Sequence, residues 1–426
     1  MNKQKTPWSW IPSLYFAEGL PYVVIMTVSV IMYKRMGISN GDIALYTSWL
    51  YLPWVIKPLW SPIIDLFKTK RIWIVVMQLL IGAGMGGVAL TIQMPNFFQY
   101  TLLFFWLMAF SSATHDIAAD GFYMLALDES KQAFFVGIRS TFYRVAMIAG
   151  QGMLIILAGY WEVTKSITFA WTFTFVVIAV MFVIFALFHW LMLPKPDSDH
   201  SVTEIRETKA VKEFFASFSK FFIKKKIGWI LGFLLFFRFA EAQLVKMAAP
   251  FMLDARNLGG LGLTTSEVGF IYGTVGIISL VLGGLLGGFS ASAKGLKYWI
   301  WWMIIAINIP NSVYVYLSLV QPESFWIINA CVAVEQFGYG FGFTAYVLYM
   351  IHISEGEFKT SHYAIATGFM ALGMMIPGMF SGMIEEMLGY KTFFIYIMFA
   401  TIPSFLVAKF IPIDPNFGKK KKTSTV

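Results

Sequence analysis

Long apolar stretches are the feature that most restricts what this chain can fold into. They recur along its 426 residues, and each is about 18 residues or longer, which is enough to cross a bilayer as a helix. Only helices and closed barrels satisfy their backbone hydrogen bonds in lipid, and unbroken apolar runs lack the alternation of barrel strands. With 58% hydrophobic and 13% charged residues, the chain is therefore predicted to be an all-α membrane protein.

Twelve transmembrane helices are predicted, in two groups of six around one long polar segment. The expected spans are 12–33, 43–65, 72–92, 97–125, 134–160 and 166–193, then 227–253, 265–290, 298–320, 324–353, 362–387 and 392–411. The predicted domains are an N-terminal six-helix bundle over 1–193, a cytoplasmic linker over 194–226, a C-terminal six-helix bundle over 227–413 and a basic cytoplasmic tail over 414–426.

The linker supports two interpretations. Between Glu204 and Lys226 charged residues alternate with phenylalanines, a pattern typical of a helix lying at the membrane surface. A solvated linker whose aromatic side chains touch the helix bundle fits the same residues. The phenylalanines concerned are Phe214, Phe215, Phe218, Phe221 and Phe222.

Basic residues are distributed unevenly between the two sides of this topology. Of the 32 Lys and Arg residues, 22 fall in segments on one side, 5 on the other side and 5 within the spans. Because positive charge is retained on the cytoplasmic side, both termini are predicted to be cytoplasmic. The same distribution accounts for the net charge of +9 without a nucleic-acid partner.

The residue patterns exclude several classes of function. Cys331 is the only cysteine, so an intramolecular disulfide or a cysteine metal site is impossible. The glycine run Gly82–Gly87 lies in an apolar span and no P-loop lysine follows it, which argues against an ATP-driven pump. No HExxH or GxSxG motif occurs. We therefore expect no catalytic residues, no cofactor, no metal and no enzyme activity.

The two predicted halves repeat parts of each other. Phe16–Gly19 (FAEG) returns as Phe239–Ala242 (FAEA), and Gly37–Ile43 returns as Gly262–Val268 in similar form. The offsets, 223 and 225 residues, are nearly equal, so the match is collinear. Two six-helix repeats in the same orientation are the arrangement of the major facilitator superfamily, in which substrate binds near the midplane between the halves.

Two acids in the fourth span indicate what the helices surround. Ser112, Asp116, Asp120 and Tyr123 are spaced by four, four and three residues, which stacks them on one helix face. Carboxylates within a membrane are costly, and by default they mark a substrate or proton pathway. Two carboxylates one turn apart repel each other, which suits a proton carrier. These residues predict a transporter.

Further charged and aromatic residues within the spans complete the predicted site. The proton-coupling candidates are Asp116, Asp120, Glu18 and Glu335. The substrate-binding candidates are Tyr15, Tyr22, Lys57, Tyr123, Arg139, Tyr143, Arg144, Arg238, Glu241 and Tyr339. Several of them lie on common helix faces, where aromatic rings can meet sugars and basic groups can meet acids.

Some of these residues have a second interpretation. Arg144 can neutralise a carboxylate of the fourth span instead of binding substrate. Glu18 and Glu241 occupy equivalent positions in the two halves, so either can be a packing residue inherited by duplication. Asp65 and Arg71 flank the short loop after the second span, and a role in cytoplasmic gating is expected for them.

Longer motifs resemble one family within the superfamily, the AmpG-type muropeptide permeases, which are related to acetyl-CoA transporters. The resemblance covers nearly all spans. Its motifs are Phe16–Pro21, Leu52–Asp65, Ala113–Asp120, Gly137 with Arg139, Val334–Phe337 and Thr360–Ala364. It implies proton-linked import of anhydromuropeptides, GlcNAc-anhydroMurNAc sugars with a stem peptide, across the bacterial inner membrane for cell-wall recycling. The partners would be this solute, protons and membrane lipid, and a monomer is expected.

Two alternatives remain open at the level of sequence. One is transport of another anionic conjugate, such as an acyl-CoA, a siderophore or a drug. The other is a membrane sensor that transports nothing and recruits partners through its linker and tail. The sensor hypothesis predicts that the charges within the spans can be neutralised without loss of function.

Overall fold

The computed structural model describes residues 6–66, 68–196, 199, 216–356 and 358–419, without the side chains of residues 62, 63, 65, 66, 129 and 133. All regular structure in these ranges is helical, as predicted. The helices are α1 Pro7–Arg35, α2 in two segments Asn40–Trp49 and Leu52–Leu66, α3 Lys70–Thr91, α4 Phe97–Ala126, α5 Ser130–Thr164, α6 Ile167–Met192, α7 Ile227–Leu253, α8 Thr265–Lys294, α9 Leu296–Val320 and α10 Phe325–Ile353. A final helical run, Lys359–Phe410, is 52 residues long.

Gly389 divides the final run into α11 (359–388) and α12 (390–410). Its backbone is non-helical, with φ 70° and ψ 159°. On α11, Gly373 packs against the backbone of Leu235 and Gly378 against that of Ala242, so α11 runs parallel to α7. On α12, the ring of Tyr390 lies 5.2 Å from that of Phe251, and Phe410 stacks on Trp229 with centroids 4.2 Å apart, which is the opposite direction. The chain therefore reverses at Gly389.

The helix count agrees with the twelve predicted spans. Within the described residues, nine helical runs are long and apolar enough to cross a membrane. Counting the last of them as α11 and α12, and adding α2 and α10, gives twelve. The predicted boundaries are close to the observed ones, as 97–125 and 227–253 illustrate against Phe97–Ala126 and Ile227–Leu253.

Two helices contain breaks that the predicted continuous spans do not show. The chain turns at Leu50 and Tyr51 within α2, because Pro53 has no N–H to donate to the carbonyl of Trp49. In α7, Arg238 has non-helical φ and ψ of −108° and 22° and separates Ile227–Phe236 from Phe239–Leu253. The Arg238 side chain is therefore attached at the point where α7 is interrupted.

The residue contacts divide the chain into two compact units, each with its own core. Unit 1 comprises Met1–Ile38, Ile56–Lys212 and Thr264–Gly273. Its buried cluster includes Trp10, Leu14, Tyr15, Ile74, Phe122 and Tyr123. Unit 2 comprises Ser39–Val55, Glu213–Leu263 and Thr274–Val426. Its buried cluster includes Phe233, Phe237, Met303, Tyr346 and Tyr349.

Each unit contains one short segment from the other half of the sequence. In unit 1, the start of α8 packs on the end of α5, and the Thr265 hydroxyl donates a 2.6 Å hydrogen bond to Glu162. In unit 2, the start of α2 packs on α11, where Asn40 Nδ2 donates to Glu385 at 2.6 Å and the Gly41 N–H to Glu386 at 2.7 Å.

The end of the linker packs against the second helical bundle. Residues 216–222 are helical, and Phe221 is fully buried in the core of unit 2. Its ring lies 5.5 Å from that of His362, and His362 Nε2 is 3.2 Å from the carbonyl oxygen of Ser217. These residues favour the interpretation in which linker aromatics touch the bundle. Phe214 and Phe215 lie outside the described residues.

Candidate functional site

The two acids of α4 are each paired with a cation from another helix of unit 1. Lys57 Nζ, on the second segment of α2, forms an ion pair with Asp116 Oδ2. Arg139 Nη2, on α5, lies 3.0 Å from Asp120 Oδ1. All four side chains are partly exposed, at 21–39% of their full area. The predicted acidic face of α4 therefore meets a basic face formed by α2 and α5.

Arg139 is enclosed by aromatic rings as well as by its carboxylate. Its guanidinium carbon lies 4.7 Å from the ring centroid of Tyr15 and 5.1 Å from that of Tyr123. The Tyr15 hydroxyl donates to the same Asp120 oxygen at 3.1 Å. Tyr15 and Tyr123 pack edge to face, with centroids 5.9 Å apart. The guanidinium, which stacks well on rings, is therefore fixed in orientation.

Glu18 of α1 adds a third carboxylate to this cluster. Its side chain is 8% exposed, and Oε2 is buried without a hydrogen-bond partner among the described residues. The charges that act on it most strongly are those of Asp120, Asp116 and Arg139, followed by Lys57. Three carboxylates thus face two cations, and binding one proton would balance the cluster.

Tyr22 and Tyr143 lie around the same part of unit 1. Tyr22 and Glu18 both act electrostatically on the Tyr143 hydroxyl. A Cβ on Gly19 would lie 3.0 Å from the Tyr143 carbonyl oxygen, so α1 and α5 approach closely there. Arg144 Nη1 is buried and has no hydrogen-bond partner in the described part of the chain. The acids of α4 are paired with Lys57 and Arg139, which favours the substrate interpretation of Arg144.

Behind the acidic face, a chain of buried polar groups crosses four helices of unit 1. Ser13 Oγ lies 3.0 Å from His189 Nε2, His189 Nδ1 lies 2.9 Å from Gln78 Oε1, and Gln78 Nε2 lies 2.9 Å from His115 Nε2. The Gln78 amide thus bridges the two histidines, one through its nitrogen and the other through its oxygen. Sequence reasoning did not group these residues, because they lie on four separate helices, α1, α3, α4 and α6.

In unit 2, the predicted site residues of α7 and α10 also lie together. Arg238 Nη2 donates a hydrogen bond to the Tyr339 hydroxyl, and the guanidinium carbon lies 5.0 Å from the ring of Phe343. Glu241 is 3% exposed and within electrostatic reach of Arg238. Glu335 is 2% exposed, receives a 3.0 Å hydrogen bond from Gln336 Nε2, and feels the charge of Glu241.

Of the two predicted gating residues, only Arg71 has a described side chain. It donates to the carbonyl oxygen of Trp190 and stacks over the Trp190 ring, at 4.7 Å from its centroid. Asp199 accepts hydrogen bonds from the backbone N–H groups of Lys70 and Arg71, at 2.7 and 3.2 Å, and so caps α3. The side chain of Asp65 lies outside the described residues.

Lys246 is one of the five basic residues within the predicted spans, and it is not among the predicted site residues. It lies on α7, is 3% exposed, and donates to the Thr47 hydroxyl at 2.8 Å. Its location within an apolar span is the same signal that identified Lys57 and Arg139. The described residues contain no group of three or more His, Cys, Asp or Glu arranged to hold a metal ion.

Comparisons with known proteins match this chain to one family model and to proteins named as transporters. The family model described as Major Facilitator Superfamily matches residues 13–355. A protein of Rickettsia conorii named putative transporter AmpG 4 is 25% identical over 95% of this chain and 96% of its own length. The anhydromuropeptide permease of Escherichia coli K12 is 23% identical over 92% of this chain and 77% of its own length. The crystal structure of a mutant of the nucleoside transporter NupG superposes with a TM-score of 0.71 at 15% identity, covering 94% of this chain and 99% of the other.

Proposed function

Because this chain belongs to the Major Facilitator Superfamily and is a multi-pass membrane transporter, not an enzyme, we propose that it imports anhydromuropeptides together with protons. The solutes would be GlcNAc-anhydroMurNAc sugars that carry a stem peptide. The name of the Escherichia coli relative and the motifs of the muropeptide permeases in this chain support this cargo.

The observation that carries the proposal is the excess of negative charge in the cluster of Glu18, Asp116, Asp120, Lys57 and Arg139. Asp116 and Asp120 are each paired with a cation, whereas Glu18 is buried beside them with an unpartnered oxygen. A single proton neutralises this excess, and its release restores it. Intramembrane carboxylates that can alternate in this way are the usual proton carriers of transporters. Glu18, Asp116 and Asp120 are therefore the proposed proton-coupling residues, with Glu335 in the second unit.

The cations and rings around these acids suit an acidic sugar–peptide. Pyranose faces pack on aromatic rings, and carboxylates pair with guanidinium and ammonium groups. In unit 1 the proposed substrate-binding residues are Tyr15, Tyr22, Lys57, Tyr123, Arg139, Tyr143 and Arg144. In unit 2 they are Arg238, Glu241 and Tyr339.

The proposal also includes where the protein is located and how it is oriented in the membrane. The protein would act as a monomer in the bacterial inner membrane, with both termini cytoplasmic because the predicted inner segments hold most of the basic residues. Its two six-helix bundles, over 1–193 and 227–413, would move so that the binding site opens in turn to either side of the membrane. The linker 194–226 joins the bundles, and the tail 414–426 follows them. Asp65 and Arg71 would act at the cytoplasmic gate.

Uptake into proteoliposomes tests the cargo and the coupling together. Labelled GlcNAc-anhydroMurNAc-tripeptide is expected to accumulate when the lumen is made alkaline, and far less without the gradient. Asp116→Asn and Asp120→Asn should each reduce accumulation at least about tenfold. Asparagine cannot take up and release a proton, and a side chain that transfers protons in a reaction typically contributes that much or more to its rate. No uptake by wild-type protein that is shown to be folded and inserted would exclude this cargo and redirect the search to other anionic conjugates.

Two control variants separate proton coupling from structural pairing. Asp128→Asn makes the same change at the N-cap of α5, where the side chain is exposed and asparagine also caps. Hydrogen bonds from Lys131 hold the pKa of Asp128 below its usual value, so it stays ionised during the assay and should not affect coupling. In Lys57→Met/Asp116→Asn, the unpaired lysine is also removed; recovery of accumulation there would mean that Asp116 serves only as a counter-ion.

A further inference from the structure

We propose that Lys246 of α7 binds a carboxylate of the transported solute, an assignment that rests on the proposed function. Lys246 is 3% exposed, and its ammonium group has three hydrogens to donate. One goes to the Thr47 hydroxyl at 2.8 Å, and the Tyr51 ring centroid lies 5.5 Å away. Among the described residues, no carboxylate oxygen lies within 4.0 Å of Nζ. Two ammonium hydrogens thus have no acceptor in the described part of unit 2.

This environment distinguishes Lys246 from most other cations within the spans. Lys57 and Arg139 each form an ion pair, and Arg238 lies within electrostatic reach of Glu241. Lys246 is five residues beyond Glu241, which on a helix is about 7.5 Å along the axis and about 140° around it. Glu241 lies within electrostatic reach of Glu335, and neither of them lies within such reach of Lys246. The buried ammonium therefore lacks a counter-ion of its own.

The internal repeat shows that helix packing does not require this charge. Aligning Phe16–Gly19 with Phe239–Ala242 places Val23 at the position of Lys246. In unit 1, a Cβ on Gly150 of α5 would lie 2.6 Å from Val23 Cγ1. In unit 2, a Cβ on Gly378 of α11 would lie 3.5 Å from Lys246 Cγ. Each side chain fills the niche beside a glycine of the facing helix, and in unit 1 an apolar residue suffices.

A second unpartnered group lies in the same niche. Ser48 is fully buried, and its hydroxyl has no hydrogen-bond partner among the described residues. A Cβ on Gly378 would lie 2.9 Å from Ser48 Oγ, so the hydroxyl and the lysine side chain border the same glycine. An ammonium and a hydroxyl both donate, so the complementary ligand is an acceptor with negative charge. A carboxylate of the proposed cargo has this chemistry, and Lys246 would pair with it where no protein carboxylate does.

Removing the charge tests this assignment through selectivity. Wild type and Lys246→Met are compared in proteoliposomes with two probes, GlcNAc-anhydroMurNAc-tripeptide and the same compound with its peptide carboxylates converted to amides. The wild type should have a lower KM for the acid, by about tenfold or more, as a charged hydrogen bond contributes. In Lys246→Met the KM for the acid should rise to that for the amide, while the KM for the amide stays unchanged.

The unfolding temperature separates binding from a structural role. Because replacing an uncompensated buried charge by an apolar side chain of similar volume is neutral or stabilising, Lys246→Met should melt at or above the wild-type temperature. If the variant does not fold, Lys246→Gln, which can still donate to Thr47, gives the same acid-to-amide comparison. Lys391→Met, at an exposed lysine, is the matched control and should change neither quantity.

Each result has one meaning. An unchanged acid-to-amide ratio in the Lys246 variants, or a lower unfolding temperature with that ratio retained, overturns the assignment of Lys246 alone. Wild-type protein that takes up neither probe overturns the proposed cargo, and the assignment with it. Loss of acid preference together with retained stability supports the assignment.

Discussion

At the scale of single residues, two buried carboxylates differ in the charged groups that surround them. Glu18 and Glu241 are equivalent in the internal repeat, and both have a buried Oε2 without a hydrogen-bond partner among the described residues. Glu18 lies among two acid–base pairs, whereas the charged groups near Glu241 are Arg238 and Glu335. The two equivalent glutamates therefore differ in their charged surroundings, and Glu18 is the one that lies beside the acids of α4.

Glu18→Gln should uncouple transport from protons while preserving the binding of solute. Glutamine has the same shape but cannot take up and release a proton, so accumulation under a pH gradient should fall at least about tenfold. Exchange of labelled for unlabelled solute at equal pH should continue at a similar rate. The comparison is Glu323→Gln, the same change at an exposed glutamate outside the proposed site, in which accumulation should persist. Gradient-driven accumulation that survives in Glu18→Gln would contradict the assignment of Glu18 as a proton carrier.

The sequence identified the charged residues but only part of their pairing. The spacing of Asp116 and Asp120 shows that they share a face of α4, because that property belongs to one helix. Whether Arg139 or Arg144 meets Asp120 depends on how α4 and α5 are rotated against each other. Five residues place the two arginines about 140° apart around α5, so the rotation of that helix decides which of them faces α4. This information resides in packing between helices and is absent from the spacing.

At the scale of helices, Gln78 is the residue that links three of them. Its amide contacts His115 of α4 and His189 of α6, and all three side chains are buried. His189 continues the link to Ser13 of α1. His115 immediately precedes Asp116, so this chain of hydrogen bonds holds the back of the helix whose front carries the acids. We infer that the histidines position α4.

Gln78→Leu should lower the stability of the protein markedly. It leaves a nitrogen of His115 and one of His189 without a partner, at roughly 1–3 kcal/mol each. The measurement is the unfolding temperature in detergent. Gln151→Leu serves as the comparison, because Gln151 makes one longer hydrogen bond, at 3.3 Å to Thr27, and is only half-buried. Equal unfolding temperatures for the two variants would show that the linkage through Gln78 contributes little.

Helix positions were predictable and helix interruptions were not. A span ends where polar residues begin, and composition shows this directly, as for Phe97–Ala126. The break at Arg238 has no proline or glycine beside it, and the residues around it are as apolar as those of an unbroken span. The break in α2 does have a sequence cause in Pro53, but a proline near a helix end is equally compatible with an unbroken helix.

At the scale of the whole molecule, the repeat is visible in the way helices begin. Ser39 caps the first segment of α2, and Thr264 caps α8. The Thr264 side chain accepts from the Glu267 N–H, and the Glu267 carboxylate accepts from the Thr264 N–H. At each of these helix starts a side chain donates a hydrogen bond to a glutamate of another helix. Asn40 donates to Glu385 in unit 2, and Thr265 donates to Glu162 in unit 1. Those two glutamates are 223 residues apart, the same offset as the FAEG and FAEA motifs.

Labelling of introduced cysteines tests the predicted orientation. In a Cys331→Ser background, an impermeant maleimide added to right-side-out vesicles should modify Lys165→Cys and Lys391→Cys. It should spare Lys131→Cys and Lys294→Cys until the vesicles are opened, because these lie on the side where basic residues concentrate. All four lysines are exposed on the protein surface, so access depends on the membrane. The reverse pattern would place the termini outside.

The overall architecture was the most predictable level. Apolar length predicts the number of helices, and the structure agrees with it. The direction of the helices across the membrane, which the basic residues predict, stays a prediction. The exchange of helix starts between units was not predictable, because each start is continuous in sequence with the helix that follows it. Only the packing of Asn40 and Thr265 on carboxylates of distant helices reveals it.

The reversal at Gly389 has a consequence for the tail that follows. As one straight helix, Lys359–Phe410 would measure about 78 Å, more than twice the thickness of the hydrocarbon layer. By turning back, the chain makes its number of crossings even. The parity of the fold, and with it the side of the membrane that the chain reaches after Phe410, therefore depends on one residue without a side chain.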